Sequence, residues 1–156
     1  MELRFSVSKT SAIWAIMSVD RLSSPSRDVL RLMSWLIMVD CNRNILAVYH
    51  GSQNNWVPYD SWQVTTGAPE TPTIKGEFEV GDRGYAFGDS EYTCYWYTQI
   101  YGGYLFHSIL YNKDDTVRDG RLGLHLSHGC VRNPIERAKW IYDNIPSGTK
   151  VVTYPF

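Results

Sequence analysis

The hydrophobic and polar positions between residues 35 and 80 predict a series of short β-strands. Two apolar runs flank the polar Asn42-Arg43-Asn44 segment, which is the pattern of a β-hairpin. Further on, Pro69 and Pro72 lack the amide hydrogen that a sheet ladder requires, so they predict a loop. Polar and apolar residues then alternate, as in a half-buried strand. The predicted strands run over 35–39, 45–49, 61–66 and 76–80.

The next part of the chain combines an aromatic-rich segment with one long apolar run. Residues 85–104 hold more Tyr, Trp and Phe side chains than one strand face buries, so two interpretations stay open: ordinary packing, or a lid or groove wall. Residues 104–111 predict a strand near the centre of a sheet. Residues 112–121 predict a polar turn region, in which Asp119-Gly120 is the strongest turn signal.

One helix is predicted near the C-terminus. Asn133 suits the N-cap, Pro134 the first helical position, and Glu136 completes an approximate capping box. Pro146-Ser147-Gly148 ends the helix, and residues 150–154 predict a last strand. An apolar stripe should face the sheet; it contains Ile135, Ala138, Ile141, Tyr142 and Ile145.

These elements predict two parts of the chain. Residues 1–34 are rich in Ser, include the breaker cluster Ser23-Ser24-Pro25-Ser26 and predict an appendage of unknown role, with a short helix from Arg27 to Trp35. Residues 35–156 predict one mainly β domain, a mixed sandwich or barrel-like fold with one helix after Cys130. A chain of 156 residues is long enough to bury its own core without disulfides.

Charge and cysteine content narrow the possible partners. The net charge is −1 and no stretch concentrates Lys or Arg, so nucleic-acid binding is not expected. Three cysteines fit neither a disulfide scaffold nor paired zinc knuckles. A Cys41–Cys94 disulfide stays open, since the sequence does not show how close the two residues lie. We expect a monomer without metal or cofactor.

The strongest chemical signal is the Ser-His-Gly-Cys segment that ends at Cys130, together with His107 on the predicted strand before it. We take Cys130 as a candidate nucleophile and His107 as its base, because a thiol needs a partner that favours its thiolate. Gly129 allows a tight turn, so that the amides of Gly129 and Cys130 can meet an oxyanion. The dipole of the following helix is expected to point its positive end at Cys130.

The residues around Cys130 leave alternatives open. His128 either braces the turn or takes a proton, and Arg132 is either a surface charge or a ligand for a substrate carboxylate. A zinc site would combine His125, His128 and Cys130 with His107, although the spacing is not that of helical ligands.

The order of these motifs resembles the catalytic domain of L,D-transpeptidases (YkuD-type), cell-wall enzymes with a histidine followed at a distance by [Ser/Thr]-His-Gly-Cys. Here the signature is His107-Ser108 and then Ser127-His128-Gly129-Cys130-Val131-Arg132. Thr71-Pro72, Gly76-Glu77-Phe78 and Gly148-Thr149-Lys150 also match in order. The separation of His107 from Ser127 is somewhat longer than the commonest family spacing, which indicates a lengthened loop beside the site.

The resemblance implies roles for individual residues. Cys130 would attack the bond between the third and fourth residues of a peptidoglycan tetrapeptide stem, release D-alanine and form a thioester. His107 would transfer protons, Ser108 would orient His107 through a main-chain or hydroxyl contact, and the amides of Gly129 and Cys130 would form the oxyanion hole. Ser127, His128, Arg132 and Tyr104 would support the site or contact substrate. An acceptor amine would complete a 3→3 cross-link or a D-amino-acid exchange.

The same resemblance implies that the enzyme acts outside the cytoplasmic membrane, although the N-terminal apolar run is only weakly similar to an export signal. Two other functions fit some of these residues. A sortase-like transpeptidase also places His before Cys, but its Arg lies on a later strand. A catalytically silent peptidoglycan-binding module would keep the fold and the glycan contacts.

Overall fold

A computed structural model of the chain describes residues 34–155, and within that range it contains thirteen strands and one helix. The predicted appendage over 1–34 and the short helix over 27–35 fall almost wholly outside the described residues; Trp35 itself begins a strand. The elements are β1 (Trp35–Asp40), β2 (Ile45–Ser52), β3 (Asn55–Gln63), β4 (Thr66–Gly67), β5 (Gly76–Glu79), β6 (Arg83–Gly88), β7 (Thr93–Tyr101), β8 (Tyr104–Ser108), β9 (Leu110–Tyr111), β10 (Val117–Asp119), β11 (His125–Ser127), β12 (Val131–Asn133), α1 (Ile135–Asn144) and β13 (Lys150–Tyr154).

The first sheet has the strand order β3-β2-β1-β13-β5. Its centre is β1, which pairs antiparallel with β2 and parallel with β13, so the two ends of the domain meet there. The run of apolar residues in β1 fits this position, because a central strand is covered on both faces. The predicted hairpin at 35–49 and the predicted last strand are therefore confirmed.

The second sheet has the order β10-β9-β7-β8-β12, and β6 pairs with the other edge of β7 over Thr93 to Thr98. The aromatic segment, for which the sequence left two interpretations, forms most of this sheet as the β6–β7 hairpin. Some of its aromatic rings are exposed, as Tyr85 is at 62% and Tyr101 at 61%, while Phe87 packs against His107. These contacts describe ordinary packing, with Phe87 placed next to the candidate site. The lid or groove-wall interpretation stays a prediction.

Side chains from both sheets form one hydrophobic core. The fully buried side chains include Ile37, Leu46 and Val151 from the first sheet and Ile100 and Phe106 from the second. The structure therefore confirms the predicted mainly β, sandwich-like fold class. Of the predicted stripe, Ala138 and Ile141 in the helix and Ile145 directly after it are buried.

The start of the helix differs from the prediction. Asn133 is the last residue of β12 rather than an N-cap, Pro134 takes the cap position, and no side chain caps the helix. Asn133 is fully buried, where its side chain has better partners than a helix terminus. At the other end, Arg83 donates to the carbonyl oxygens of Tyr142 and Ile145, both at 2.7 Å. Such contacts satisfy the last carbonyls of a helix.

The predicted strand at 104–111 is divided in two. After Ser108 the chain leaves β8, and β9 pairs with both β7 and β10. The polar region 112–121, predicted as a turn, contains β10, a short outer strand whose side chains are mostly exposed. The β9–β10 hairpin extends the second sheet beside the candidate site.

Candidate active site

The site is built on the parallel pairing of β8 with β12. In this register Arg132 lies opposite His107, and Asn133 lies opposite Ser108. Cys130 directly precedes β12, two residues before Arg132. Alternate residues of a strand point to the same face of a sheet, so Cys130 points to the same face as Arg132. Paired residues of neighbouring strands also share a face, so His107 points to that face too. Ideal sheet spacing puts the Cα atoms of His107 and Cys130 about 8 Å apart.

His107 is buried and its tautomer is set by the main chain. Its Nδ1 lies 2.6 Å from the carbonyl oxygen of Ser108, which only accepts hydrogen bonds, so Nδ1 carries the proton and Nε2 is left as the acceptor. Burial lowers the pKa of His107 to about 4; the Ser108 contact opposes this shift and the charge of Arg132 adds to it. The resting imidazole is therefore neutral at pH 7.

Ser108 contacts His107 through its carbonyl oxygen, whereas its hydroxyl has other partners. The hydroxyl accepts from the Tyr95 amide at 2.9 Å and donates to the Ile109 carbonyl at 2.6 Å. These bonds hold the end of β8 where the chain turns into β9. Of the two routes that the sequence left open for Ser108, the structure contains the main-chain one.

Cys130 is partly exposed and protonated at rest. Its Sγ donates to the Gly103 carbonyl oxygen at 3.4 Å. Burial raises the pKa of the thiol, while the Leu105 amide and the charge of Arg132 lower it. The site at rest therefore holds a neutral thiol and a neutral imidazole, whereas the sequence led us to expect a partner that favours the thiolate. The physical reason is that both groups lose more hydration than their neighbours restore.

Ser127 closes the turn that carries Cys130. Its hydroxyl donates to the Cys130 carbonyl at 2.5 Å and accepts from the Gly129 amide at 3.1 Å. The Ser127 carbonyl in turn accepts from the Thr71 hydroxyl at 3.1 Å and the Ala68 amide at 2.9 Å. The loop between β4 and β5 therefore braces the Ser-His-Gly-Cys turn.

Gly129 and Tyr104 fit together in this turn. Gly129 has φ +116°, a conformation that residues with a side chain rarely adopt, and a Cβ on it would lie 2.8 Å from Cε1 of Tyr104. Since its amide already donates to Ser127, Gly129 offers no free donor for an oxyanion. The Cys130 amide has no acceptor within residues 34–155, so it is the available donor.

The helix contributes less to Cys130 than the sequence suggested. The first helical residue is Ile135, and the three extended residues of β12 separate it from Cys130. The dipole acts mainly within the first turn of a helix. We therefore assign the positive potential at the thiol to Arg132 instead.

The remaining histidines lie apart from this arrangement. His128 is exposed, and its side chain makes no hydrogen bond with the residues that the structure describes. His125 Nδ1 lies 3.0 Å from the Thr66 hydroxyl, and its Nε2 lies 3.3 Å from the side-chain amide of Asn44. No group of three or more possible metal ligands occurs between residues 34 and 155.

Arg132 is neither exposed nor isolated. Its side chain is 9% exposed, and Nη1 donates to Oδ2 of Asp119 at 3.1 Å. Asp119 also accepts from Arg121 Nε at 2.9 Å and Nη2 at 3.0 Å. These bonds, with the Arg121 side chain contributing most, lower the pKa of Asp119 to about 2. Its carboxylate is therefore charged at neutral pH.

The sequence did not single out several residues that contact the site. Asp119 was noted only as a turn residue, and neither Gly103, Leu105 nor Phe87 was noted for chemistry. Phe87 meets the His107 ring edge-on, with 5.1 Å between the ring centres. Only Asp119 could have been found from the sequence, because it is an acidic residue in the polar segment between His107-Ser108 and the Ser127-His128-Gly129-Cys130 motif. The others act through backbone atoms or ring packing that the register creates.

The hairpin between the two motifs forms a wall beside the site. Arg118 donates to the Glu91 carboxylate at 2.8 Å and to its carbonyl at 3.1 Å, and Lys113 donates to the Thr93 hydroxyl at 3.2 Å. The Tyr95 hydroxyl also donates to Asp115. The β9–β10 hairpin is thereby attached to the β6–β7 hairpin.

The fold and this site together define a β-sheet domain with a buried histidine beside a Ser-His-Gly-Cys turn. The L,D-transpeptidase catalytic domain (YkuD) matches residues 34–153. The chain therefore belongs to the L,D-transpeptidase catalytic domain family, as the sequence motifs predicted.

Related proteins agree with this assignment. A Bacillus subtilis (strain 168) protein named as an L,D-transpeptidase, YciB, is 39% identical to this chain over 100 residues. The matched part is 57% of this chain and 52% of the Bacillus protein. The structure of a fused Zn-dependent amidase/peptidase/peptidoglycan-binding domain-containing protein from Clostridium acetobutylicum is 44% identical, with TM-score 0.67, over 78% of this chain and 52% of that one. The structure of an L,D-transpeptidase from Mycobacterium smegmatis has the same fold, with TM-score 0.64 and 19% identity. The match covers 79% of this chain and 59% of the mycobacterial chain.

The chain spans only about half the length of the first two of these relatives. No helix within the described range is long and apolar enough to cross a membrane.

Proposed function

We propose that this domain is a peptidoglycan L,D-transpeptidase in which Cys130 is the nucleophile and His107 the base. The observation that carries the proposal is the β8–β12 pairing, which puts His107, Arg132 and Cys130 on one face of the sheet, with Nε2 of His107 free to accept a proton. Membership of the L,D-transpeptidase family supports the peptide stems of peptidoglycan as the substrate class and, with them, action outside the cytoplasmic membrane. The proposed mechanism uses no metal or cofactor.

The first half-reaction acylates the enzyme. The Cys130 thiol turns from the Gly103 carbonyl, and His107 Nε2 takes its proton as sulfur attacks the carbonyl carbon between the third and fourth stem residues. The carbon–nitrogen bond then breaks, and His107 returns the proton to the amine of the departing D-alanine. A thioester between Cys130 and the third stem residue remains.

The second half-reaction transfers the acyl group. His107 takes a proton from an incoming amine, which attacks the thioester carbonyl. The carbon–sulfur bond breaks and Cys130 leaves as a thiolate that recovers the proton from His107. An amine from a second stem gives a 3→3 cross-link, and a free D-amino acid gives an exchange product.

The oxyanion that forms when the thiol attacks has one main-chain hydrogen-bond donor in this proposal, whereas the sequence suggested two, the amides of Gly129 and Cys130. The Gly129 amide is occupied by Ser127, so the proposal uses the Cys130 amide as the main-chain donor. Ser127 then acts by holding the turn, and Tyr104 by covering Gly129. His128 has no role in the proposed chemistry, since it is exposed and unpaired within the described range.

The proposal is tested by covalent labelling. Purified protein incubated with a carbapenem should gain the mass of one adduct, as the family resemblance implies, and Cys130→Ala should gain none. His107→Ala should lose acylation, whereas the matched variant His125→Ala should keep most of it. Wild-type protein that stays unmodified would contradict the proposal.

The products decide which transfer occurs. Incubation with disaccharide-tetrapeptide, followed by mass analysis, separates a 3→3 dimer, a tripeptide and a D-amino-acid exchange product. A catalytically silent wall-binding module would yield none of them while still retaining the glycopeptide.

A further inference from the structure

Two arginines and one aspartate form a connected group beside the nucleophile. Asp119 accepts from Arg121 through both carboxylate oxygens and from Arg132 through Oδ2. Two guanidinium groups and one carboxylate leave a formal charge of +1. We name Arg121, Asp119 and Arg132 the arginine–aspartate triad.

The uncompensated positive charge of the triad lies on a buried side chain. Arg132 is 7% exposed, and only its Nη1 makes a side-chain hydrogen bond. A guanidinium has five N–H donors in a planar fork. Nε and Nη2 of Arg132 have no hydrogen-bond partner within residues 34–155, and neither atom is fully enclosed, so both keep some contact with solvent. Unused donors on a buried guanidinium fit a planar anion such as a carboxylate.

The position of Arg132 relative to Cys130 defines which carboxylate would bind. Arg132 follows Cys130 by two residues and points to the same face, so about 7 Å separates their Cα atoms along an ideal strand. In a tetrapeptide stem, the free carboxylate of the fourth residue is one residue beyond the scissile carbonyl, which is a span of about 3.5 Å. With sulfur about 3 Å from that carbonyl carbon, the carboxylate falls within reach of Arg132.

We propose that Arg132 binds the terminal carboxylate of the D-residue that leaves, and that Asp119 is a positioning residue that aims the guanidinium at it. This inference rests on the proposed transpeptidase function. It gives the lengthened hairpin between the two motifs a role in substrate recognition, because Asp119 and Arg121 both come from it. Arg121 is more exposed and acts by keeping Asp119 fixed through its two side-chain bonds.

Binding to an inactive protein tests the carboxylate site without turnover. In a Cys130→Ala background, calorimetry compares a stem tetrapeptide ending in D-alanine with the same peptide ending in D-alanine carboxamide. The free acid should bind about tenfold tighter or more, because a charged bidentate contact is lost in the amide. The preference should disappear when Arg132→Gln is added and shrink with Arg132→Lys. Arg118→Gln removes the same charge from β10, where Arg118 bonds to Glu91 and not to Asp119, and should leave the preference unchanged.

Asp119→Asn separates positioning from simple charge. The substitution raises the local charge by one, so long-range attraction alone would tighten binding of the acid. Loss of positioning should instead weaken acid binding several-fold and leave amide binding unchanged. Tighter acid binding in Asp119→Asn would overturn the role of Asp119. Should Arg132→Gln fail to fold, as judged by circular dichroism, Arg132→Lys and Asp119→Asn still decide the matter.

The failures of the two proposals have different signatures. Equal affinity for acid and amide, together with normal acylation of wild-type protein by the stem, would overturn the carboxylate site alone. A preference for the acid that depends on Arg132, without any acyl-enzyme in wild-type protein, would overturn the transpeptidase function and leave the carboxylate site standing.

Discussion

The side-chain amide of Asn133 donates to the main-chain carbonyl of His107 at 3.2 Å, directly across the β8–β12 pairing. The same amide donates to the Val131 carbonyl at 2.9 Å, and Oδ1 accepts from the Trp62 indole at 2.8 Å. Asn133 therefore connects the strand that carries His107 with the strand that follows Cys130. A residue that could have capped a helix instead holds the two halves of the site together.

Replacing Asn133 should destabilise the domain through unpaired buried groups. Asn133→Ala removes the acceptor of the Trp62 indole, and we expect a loss of about 2 kcal/mol or more in the free energy of unfolding. Urea unfolding of Asn133→Ala, Trp62→Phe and the double variant measures the coupling. The double variant should lose less than the sum of the singles. Asn55→Ala, which removes an exposed side-chain amide at the start of β3, is the control and should change stability by less than about 0.5 kcal/mol.

Gly129→Ala should be costly for two separable reasons. The positive φ strains any residue with a Cβ, and the new methyl group would meet Tyr104. Gly148 has φ +82° with no atom within 4 Å of a Cβ, so Gly148→Ala isolates the backbone strain, which costs about 1 kcal/mol. Thermal unfolding should show a clearly larger loss for Gly129→Ala, and a Tyr104→Ala background should reduce the difference. Equal losses at the two glycines would show that Tyr104 exerts no steric effect.

The buried His107 predicts a loss of stability on mild acidification. Its folded-state pKa of about 4 is below the ordinary 6.5, so the unfolded chain takes up the proton first as the pH falls. Stability due to this group is fully present above pH 6.5 and declines towards pH 4, by on the order of 3 kcal/mol in total. Chemical unfolding from pH 7 to pH 4 should show this decline in wild-type protein and not in His107→Gln.

A second variant checks the assignment of that pH window. The pKa of Asp119 is lowered to about 2, so stability linked to Asp119 is lost only as the pH falls below about 4. Asp119→Asn should therefore keep the decline between pH 6.5 and pH 4. An unchanged slope in His107→Gln would show that other groups cause the decline.

The resting state of Cys130 predicts slow labelling by an uncharged alkylating agent. Because burial raises the pKa of the thiol, little thiolate is present at pH 7, and the iodoacetamide reaction rate should rise steadily above pH 8. Arg132→Gln should move the profile to higher pH, since the charge of Arg132 favours the thiolate. Arg118→Gln again serves as the matched control. Fast labelling that is flat from pH 6 to pH 9 would instead indicate a preformed thiolate.

The sequence by itself determined four strands of the first sheet (β1, β2, β5 and β13), the apolar stripe of the helix and the family. The edge strand β3 spans Asn55–Gln63, six residues earlier at its start than the predicted strand over 61–66. Those features follow from local periodicity and from a motif of adjacent residues, Ser127 to Arg132, which needs no long-range information. The choice of His107 and Cys130 as partners came from the same motif. Their roles remain predictions that the labelling experiments test.

Only the tertiary structure decided what each polar group near Cys130 is bonded to. Asn133 is a buried link rather than a helix cap because β12 pairs with β8 and brings Trp62 and His107 to it. The Gly129 amide donates to the Ser127 hydroxyl because the turn folds back on Ser127. Arg132 forms a buried ion pair because the hairpin brings Asp119 next to it. Hydrogen-bond partners and desolvation depend on residues distant in the chain, so a pattern of neighbouring residues does not contain them.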